Sequence, residues 1–430
     1  MILDYLKALQ VFDSRSEPTI KVFASSSCNT ATAIVPKGAS TGEKEAYELV
    51  DNEDVFGGLG VKKAINLIEN TIYPAIKSIS IDSQRDVDNA MLKLDKSKYK
   101  TSIGGNTMLG VSLAIAKLSA KEMNVPLYKY IGGINAFIIP MPMFNVLNGG
   151  KHAFNGLDIQ EIMIVPVSAK SFKEAYENGV KVYQELKKII SKKGYSTSLG
   201  DEGGFVVPFK TSVEAFSLLK EATQNAGLLF GKDIYISLDV AANSFYNEKK
   251  QVYQFEEKAL NAEDMIKYYE EIVKKYPILS IEDGLAENDK HWHKLYDALK
   301  DKILIVGDDL FATNIDLLKD GVKNKLANAM IIKVNQIGTL SETLDTVHYA
   351  VKNKVYTIVS HRSGDSEDDF IADLSVGINS FFIKSGAPAR SERTSKYNRL
   401  LEIENELKSS SKFAGEFISE FLVRKNKFDK

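Results

Sequence analysis

Six short apolar runs in the second half of the 430-residue chain each end in charged or polar side chains. The residues at these ends are Asp239, Glu282, Asp308, Lys333, His361 with Arg362, and Lys384. Three converging carboxylates repel one another, and a hard divalent cation removes the cost of burying them. All-oxygen ligands favour Mg²⁺, so Asp239, Glu282 and Asp308 are predicted metal ligands. Any one of them alone would more readily be a helix cap or an ion-pair partner.

The three runs after the carboxylates supply Lys333, Arg362 and Lys384. This order predicts a site with one anionic and one cationic side, which suits a substrate with a carboxylate and a phosphate or second anion. A lysine near Mg²⁺ and a second lysine moves towards its neutral form, the condition for a general base. The alternative is three solvated side chains on loops, and the apolar residues just before Lys333 and Lys384 disfavour it.

The spacing of the runs predicts the elements that position these residues. Successive gaps from Asp239 through Glu282, Asp308, Lys333 and His361 to Lys384 are 43, 26, 25, 28 and 23 residues. A (β/α)8 barrel uses roughly 31 residues per unit and carries its functional groups at the C-terminal strand ends. We therefore predict a TIM-like barrel. An open doubly wound sheet is the alternative, although it does not need polar groups at every strand end.

The N-terminal part has a different rhythm. Residues 1–35 are typical of strands, and residues 106–124 of a helix with Asn106 as N-cap and one apolar face. Glycines and prolines concentrate between residues 126 and 150. The prediction is a small α+β domain over 1–132, carrying a loop at 37–42, and a catalytic α/β barrel over 133–430.

Composition excludes several classes of function. The formal net charge is −2, which does not favour nucleic acid or an anionic membrane surface as partner. The single cysteine, Cys28, excludes an internal disulfide and fits a reducing compartment. No apolar run approaches the ~18 residues of a membrane span, and the first residues lack a signal-peptide pattern. These features predict a cytoplasmic protein.

Several shorter motifs carry weak signals by themselves. LGDEGG contains Glu202, NGGKHA contains His152, and DIQE contains Gln160 and Glu161. KGASTG lacks the spacing of a phosphate loop. HWH at 291–293 is interpreted as the start of a surface helix with a half-buried Trp292, not as a metal site.

Taken in order, the motifs resemble those of the enolase (phosphopyruvate hydratase) family. They are KGASTG, NGGKHA, DIQE, GDEGG, SIEDGL, GDDLFATN, IKVNQIGTL, SHRSGDSED and IKSGAPARSER. The resemblance runs from DSR at 13–15 to RLLEIENEL at 399–407, nearly the whole chain. It implies a small N-terminal α+β domain and an eight-fold barrel whose first units depart from regular order.

The resemblance also implies a reaction, the reversible dehydration of 2-phosphoglycerate to phosphoenolpyruvate with two Mg²⁺ ions. It assigns Lys333 as the base and Glu202 as the acid, with Glu161 beside it. By the same resemblance, Asp239, Glu282 and Asp308 bind the first metal ion, and Ser40 helps to bind the second. His361 belongs to the catalytic site. The residues implied in substrate binding are Gln160, His152, Arg362, Ser363 and Lys384. A homodimer, or an octamer built from dimers, is expected.

The chain departs from the family pattern at Ser16, Glu17, Lys37, Lys151 and Asn243–Ser244. None of these positions is assigned to the chemistry, so we expect an active enzyme. Two alternatives stay open at this point. One is another chemistry of the superfamily, such as a racemase or an acid-sugar lyase, which GDEGG and SHRSG disfavour. The other is a secondary role of a cell-surface fraction that binds host proteins, for which the terminal RKNKFDK is compatible but is more typical of a solvated terminus.

Overall fold

The structure is a computed structural model that describes residues 1–38, 42, 44–53, 55–150, 157–418 and 421–422. Its N-terminal part contains a three-stranded antiparallel sheet in the order β1-β2-β3, with helices packed against it. The elements are β1 (Tyr5–Phe12), β2 (Pro18–Ser25), β3 (Thr30–Ile34), α1 (Lys62–Leu67), α2 (Tyr73–Ile76), α3 (Gln84–Leu94), α4 (Gly105–Glu122) and α5 (Leu127–Gly132). The predicted strands and the α+β class of this part are confirmed.

Two details of the predicted helix at 106–124 are wrong. Helix α4 begins at Gly105, and its N-cap position is Gly104 with φ of +92°. Asn106 instead binds the backbone of Leu49, accepting from its N–H and donating to its carbonyl at 3.0 Å each. Nor is α4 apolar on one face only, because it is buried nearly all round. It lies between the sheet and a short helix at Val334–Ile337 of the barrel part.

The second part is built around a closed barrel. Its strands, with small additional ones, are β4 (Ile138–Ile139), β5 (Met141–Asn148), β6 (Glu161–Val165), β7 (Phe205–Val206), β8 (Tyr235–Asp239), β9 (Tyr246–Asn247), β10 (Val252–Phe255), β11 (Lys258–Leu260), β12 (Ile278–Glu282), β13 (Leu304–Gly307), β14 (Ala329–Ile332), β15 (Tyr356–Ser360), β16 (Phe382–Lys384) and β17 (Lys412–Phe413). In the described part of the chain, eight of them follow the order β5-β6-β8-β12-β13-β14-β15-β16. Pairing of β16 with β5 closes the ring, which excludes the open sheet and confirms the predicted barrel.

Helices cover the outside of the barrel. They are α6 (Phe172–Lys192), α7 (Ser212–Asn225), α8 (Ala262–Lys275), α9 (Trp292–Leu299), α10 (Ile315–Asn324), α11 (Val334–Ile337), α12 (Leu340–Lys352), α13 (Phe370–Gly377) and α14 (Ser391–Leu407). Strand and helix alternate from β12 onwards. Strands β12, β13 and β14 of the ring are buried on both sides, which is why their sequences are continuous apolar runs.

One strand runs against the others. β6 pairs antiparallel with both β5 and β8, whereas the other neighbours in the ring are parallel. Its first residue, Glu161, therefore lies opposite Asp239, the last residue of β8. A carboxylate at the start of a strand thus reaches the same mouth as residues at the ends of the other strands.

The structure tests the predicted helix over 169–193 and the predicted surroundings of Trp292. The helix expected over 169–193 is α6, with the Ser171 hydroxyl accepting from Glu174 N and Gly194 following at φ of +78°. Trp292 does begin a helix, but it is fully buried and not half-buried. Its indole Nε1–H donates to the Ala286 carbonyl at 2.9 Å, so the ring belongs to the core.

In the described ranges, no helix combines the length and the apolar character needed to cross a membrane. The domain boundary stays a prediction. It falls directly after Gly132, the last residue of α5.

Candidate active site

The strand ends bring the predicted residues to one mouth of the barrel. Asp239, Glu282 and Lys384 are the last residues of their strands, whereas Asp308, Lys333 and His361 directly follow theirs. Except for Glu282, these side chains line one cavity together with Gln160, Glu161, Glu202, Arg362 and Ser363, and Glu282 contacts Lys384 of that lining. The register of the parallel strands is what makes them converge, as the spacing predicted.

Lys384 lies among the carboxylates, not opposite them. Its Nζ is 2.8 Å from Asp239 Oδ2, 3.0 Å from both Glu282 carboxylate oxygens and 3.3 Å from Glu161 Oε1. The predicted division of the mouth into an anionic and a cationic side is therefore wrong. The physical reason is ring closure, because β16 pairs with β5 and returns its lysine to the strands that carry the acids.

Lys333 pairs with a predicted metal ligand. Its Nζ donates to Asp308 Oδ2, and Gln336 Nε2 donates to the other Asp308 oxygen at 2.9 Å. Burial has the largest single effect and lowers the pKa of Lys333, but Asp308 and Glu282 raise it and the net shift is upward. The same contact holds the pKa of Asp308 below its usual range despite burial. Among the protein groups alone, Lys333 thus favours its ammonium form, and the neutral form expected for a lysine beside Mg²⁺ stays a prediction.

Burial and mutual repulsion disfavour the ionised forms of the carboxylates at this end of the barrel. Burial, followed by the charge of Asp239, raises the pKa of Glu282 to about 8. Among the described residues, the three acidic side chains whose oxygens all lie within 4.8 Å of one another are those of Asp283, Asp308 and Asp309, a set that shares only Asp308 with the predicted metal ligands. Asp283 is already engaged, because it accepts from the backbone N–H groups of Asp308 and Asp309 at 2.9 Å each. We therefore regard Asp283 as an anchor of that turn.

Glu202 and His361 meet across the cavity. Glu202 lies in the loop between α6 and β7, and its Oε2 accepts from Asn145 Nδ2 at 3.0 Å. His361 Nε2 lies 3.3 Å from the same oxygen. Burial lowers the pKa of His361 to about 4, so the imidazole is neutral near pH 7. Burial and the charge of Glu202 raise the pKa of Glu161 well above its usual range.

Arg362 is bound to groups from both parts of the chain. Its Nη1 donates to Glu45 Oε2 and to Asn335 Oδ1, each at 3.0 Å. The guanidinium is almost completely buried at the mouth, beside the Ser363 position predicted for substrate binding. An anion in the cavity would therefore interact with the combined charges of Arg362 and Glu45, and not with Arg362 alone.

Comparisons with known proteins agree with this arrangement. The family described as "Enolase, C-terminal TIM barrel domain" matches residues 136–421, and "Enolase, N-terminal domain" matches residues 3–131. The chain belongs to the enolase family. It is therefore a lyase of the phosphopyruvate hydratase class, as the motifs predicted.

Two relatives illustrate how closely the chain follows this family. The enolase of Corynebacterium kroppenstedtii is 49% identical over 412 residues, covering 95% of this chain and 96% of the relative. The enolase of a Nitratiruptor species is 47% identical over 407 residues, covering 94% and 97%.

Two predicted site residues fall outside the described residues, namely Ser40 and His152. Four further residues belong to the site but were not predicted, and these are Glu45, Asn145, Gln336 and Arg393. Gln336 and Arg393 stand inside the motifs IKVNQIGTL and IKSGAPARSER, so a signal existed without a role attached to it. Glu45 and Asn145 carried no signal, because each is a single polar residue that reaches the site only through folding.

Two of the positions that depart from the enolase pattern are partners of each other. The buried Lys37 places its Nζ 3.3 Å from Glu17 Oε2 and 3.3 Å from Glu48 Oε1. Its backbone pairs in both directions with Gly364 at 2.8 Å. The departures at 17 and 37 thus form one ion pair behind the loop that carries Arg362.

Proposed function

We propose that the chain interconverts 2-phosphoglycerate and phosphoenolpyruvate. A proton leaves carbon 2, the bond from carbon 3 to its hydroxyl breaks, and a proton added to the departing hydroxyl gives water. One observation carries this proposal. A single cavity contains two separate groups, Lys333 beside buried carboxylates and Glu202 beside a neutral His361. A base and an acid in one cavity are what a proton-assisted elimination needs.

The carboxylates fit a divalent cation. Lys384 contacts both Asp239 and Glu282, yet burial still raises the pKa of Glu282 to about 8. Asp239, Glu282 and Asp308 would hold Mg²⁺, which matches their oxygen chemistry, and Ser40 is proposed for a second ion. When bound, Mg²⁺ offsets the negative charge that develops on the substrate carboxylate.

Lys333 is proposed to take the proton from carbon 2. Burial, Arg362 and Lys384 all lower its pKa, and Asp308 is the main group that holds its proton. When Asp308 is engaged elsewhere, the remaining groups favour the neutral amine. The apolar strand before Lys333 fixes the stem of this side chain at the mouth.

Glu202 is proposed to protonate the departing hydroxyl. Hydroxide leaves poorly, so a proton must be delivered as the bond breaks. The raised pKa of the neighbouring Glu161 keeps a proton within this pair of carboxyl groups. Because His361 stays neutral near pH 7, it adds no positive charge that would draw the proton off.

Charged and polar groups around the mouth are proposed to bind the anionic ends of the substrate: Gln160, His152, Arg362, Ser363 and Lys384. For Arg362 this requires sharing with Glu45, since the two groups are already paired at 3.0 Å. Lys384 would act on the carboxylate end, beside Asp239 and Glu282, because that is where its ammonium lies.

The test is a direct assay. Protein mixed with 2-phosphoglycerate and Mg²⁺ is expected to produce the ultraviolet absorbance of phosphoenolpyruvate, and a chelator is expected to abolish the signal until Mg²⁺ is restored. Folded protein that gives no signal with Mg²⁺ contradicts the reaction. Full turnover in the presence of chelator contradicts the metal requirement.

The homodimer or octamer, the cytoplasmic location and the cell-surface role with host proteins remain predictions. Sedimentation of the purified chain tests the first of them. Accessibility to antibody on intact cells tests the surface fraction.

A further inference from the structure

Arg393 is a completely buried arginine in the first turn of α14. A buried guanidinium is costly unless acceptors satisfy its donors. Its Nη1 donates to Arg362 O at 2.6 Å and to His361 Nδ1 at 2.7 Å, and its Nη2 donates to Ser363 O at 2.6 Å. These acceptors all belong to the loop after β15, so Arg393 holds that loop through its hydrogen bonds.

The same side chain also reaches the loop that carries the proposed acid. Arg393 Nη2 donates to Asp201 O at 3.1 Å, next to Glu202. The Glu202 carbonyl in turn accepts from Ala387 N at 2.9 Å. The guanidinium therefore joins the loop of Glu202 to the loop of His361, which come from distant parts of the sequence.

Close packing leaves this bridge little freedom. Gly386 has a φ of +75°, and a Cβ there would lie 2.7 Å from Glu202 O and 2.9 Å from Arg393 Cδ. The charge is balanced by Asp365 at 3.8 Å and Glu392 at 3.6 Å. The arginine is thus held from several directions and cannot move independently of the two loops.

The contact with His361 determines where the ring proton lies. A guanidinium has donors and no acceptor, so the Nδ1 that it contacts must be the unprotonated nitrogen of the ring. The single proton of the neutral imidazole then lies on Nε2, which faces Glu202 Oε2 at 3.3 Å. Asn145 Nδ2 donates to the same oxygen at 3.0 Å. The ring therefore turns an N–H, and not a lone pair, towards the Glu202 carboxyl group.

We propose that Arg393 is a positioning residue that fixes His361 as the Nε2-protonated tautomer and thereby turns its N–H towards the carboxyl group of Glu202. The proposal rests on the proposed function only for the role of Glu202 as acid. The tautomer itself is a property of the protein without substrate. Arg393 touches no reacting atom, and its effect passes through His361 and the two loops.

Nuclear magnetic resonance tests the tautomer without any turnover. The full-length protein, with ¹⁵N in the rings of its five histidines, is measured near pH 7, and His361→Gln assigns the signals. His361 is expected to show a protonated Nε2 and an unprotonated Nδ1. A protonated Nδ1 in the native protein overturns the proposal. In Arg393→Met, a mixture of tautomers is expected, and an unchanged spectrum also overturns it.

Kinetics give a second, separate readout. Arg393→Met is expected to lower kcat about 100-fold, because a misplaced acid loses alignment, while KM changes by less than about threefold. Arg393→Lys, which keeps a cation and one donor towards Nδ1, is expected to recover part of kcat. The matched control is Arg399→Met, since Arg399 lies on the same helix and pairs with Asp373 at 2.9 Å.

The outcomes separate the two proposals. If Arg393→Met and Arg399→Met have equal kcat values, the positioning role is wrong. If the native chain does not convert 2-phosphoglycerate, the proposed function is wrong, and the tautomer is still decided by the ¹⁵N spectrum.

Discussion

The two sides of the mouth are held in place by different means. The metal side consists of residues at strand ends, namely Asp239, Glu282, Asp308 and Lys333. The acid side consists of Glu202, which lies in a loop, and His361, which directly follows β15 and begins the loop after it. On the metal side, charged groups face one another directly, as in the contact of Lys333 with Asp308. On the acid side, a hydrogen bond from Asn145 holds Glu202, and one from Arg393 holds His361, whose pKa is lowered by burial.

The two sides are therefore expected to be sensitive to different kinds of substitution. Strand ends are fixed by the barrel, so the metal side should tolerate small changes of shape and fail when a charge is removed. The loops depend on individual hydrogen bonds, so the acid side should fail when a donor is displaced. The predictions below test these two expectations, beginning with the largest effect.

Replacement of Lys333 by alanine should nearly abolish turnover. Loss of a general base lowers kcat by up to about 10⁴-fold, and the barrel should remain folded because Lys333 lies at the mouth and outside the core. Absorbance of phosphoenolpyruvate measures the rate, and circular dichroism checks the fold. Lys319→Ala, at an exposed lysine paired with Asp316, serves as the control and should keep its rate. Turnover of Lys333→Ala near that of the control would refute the assignment of the base.

The acid side should lose stability as the pH falls. The pKa of His361 is about 4 in the folded protein and about 6.5 when unfolded, so between these values the unfolded chain binds the extra proton. The free energy of unfolding should therefore fall by up to about 3 kcal/mol from pH 6.5 to pH 4 on account of this residue. Urea unfolding of the native chain and of His361→Gln at several pH values measures it. Equal pH slopes for the two proteins are the contrary result.

The ion pair behind the acid side should contribute least. Lys37→Met leaves the carboxylate of Glu48 without its lysine and that of Glu17 with Arg15 alone, and it should lower the free energy of unfolding by about 1–3 kcal/mol. Adding Glu17→Gln should restore about 1 kcal/mol, since the two positions are coupled. Urea unfolding measures both variants, with the exposed Lys62→Met as control. A Lys37→Met curve that superimposes on the control would show that the pair contributes nothing.

The metal side could be predicted largely from the sequence. Apolar runs that end in Asp239, Glu282 or Lys333 at barrel-like intervals are periodic, and parallel register converts that periodicity into convergence. What the sequence could not supply was the position of Lys384, because the pairing of β16 with β5 is a contact between the ends of the barrel sequence. The predicted separation of charges failed for that reason.

On the acid side, the spacing of the strands marked His361, but Glu202 was accessible only through the resemblance because it lies outside that spacing. The loops of these two residues are joined by hydrogen bonds from Arg393, which stands in the motif IKSGAPARSER without a predicted role. Two local errors have a similar origin. The sequence predicts Asn106 as a helix cap, but its side chain binds the backbone of Leu49. It predicts a half-buried Trp292, but this side chain is fully buried. In each case a partner distant in the sequence overrides the local preference.

We propose that the two sides act on different bonds of the substrate. Exchange of the carbon 2 proton with deuterated water reports on the base alone, and formation of phosphoenolpyruvate requires base and acid together. We predict that Glu202→Gln, with Mg²⁺ and 2-phosphoglycerate, still exchanges this proton while forming no phosphoenolpyruvate, and that Lys333→Ala does neither. Exchange in Lys333→Ala at the native rate, or folded Glu202→Gln that makes phosphoenolpyruvate at the native rate, would contradict the claim.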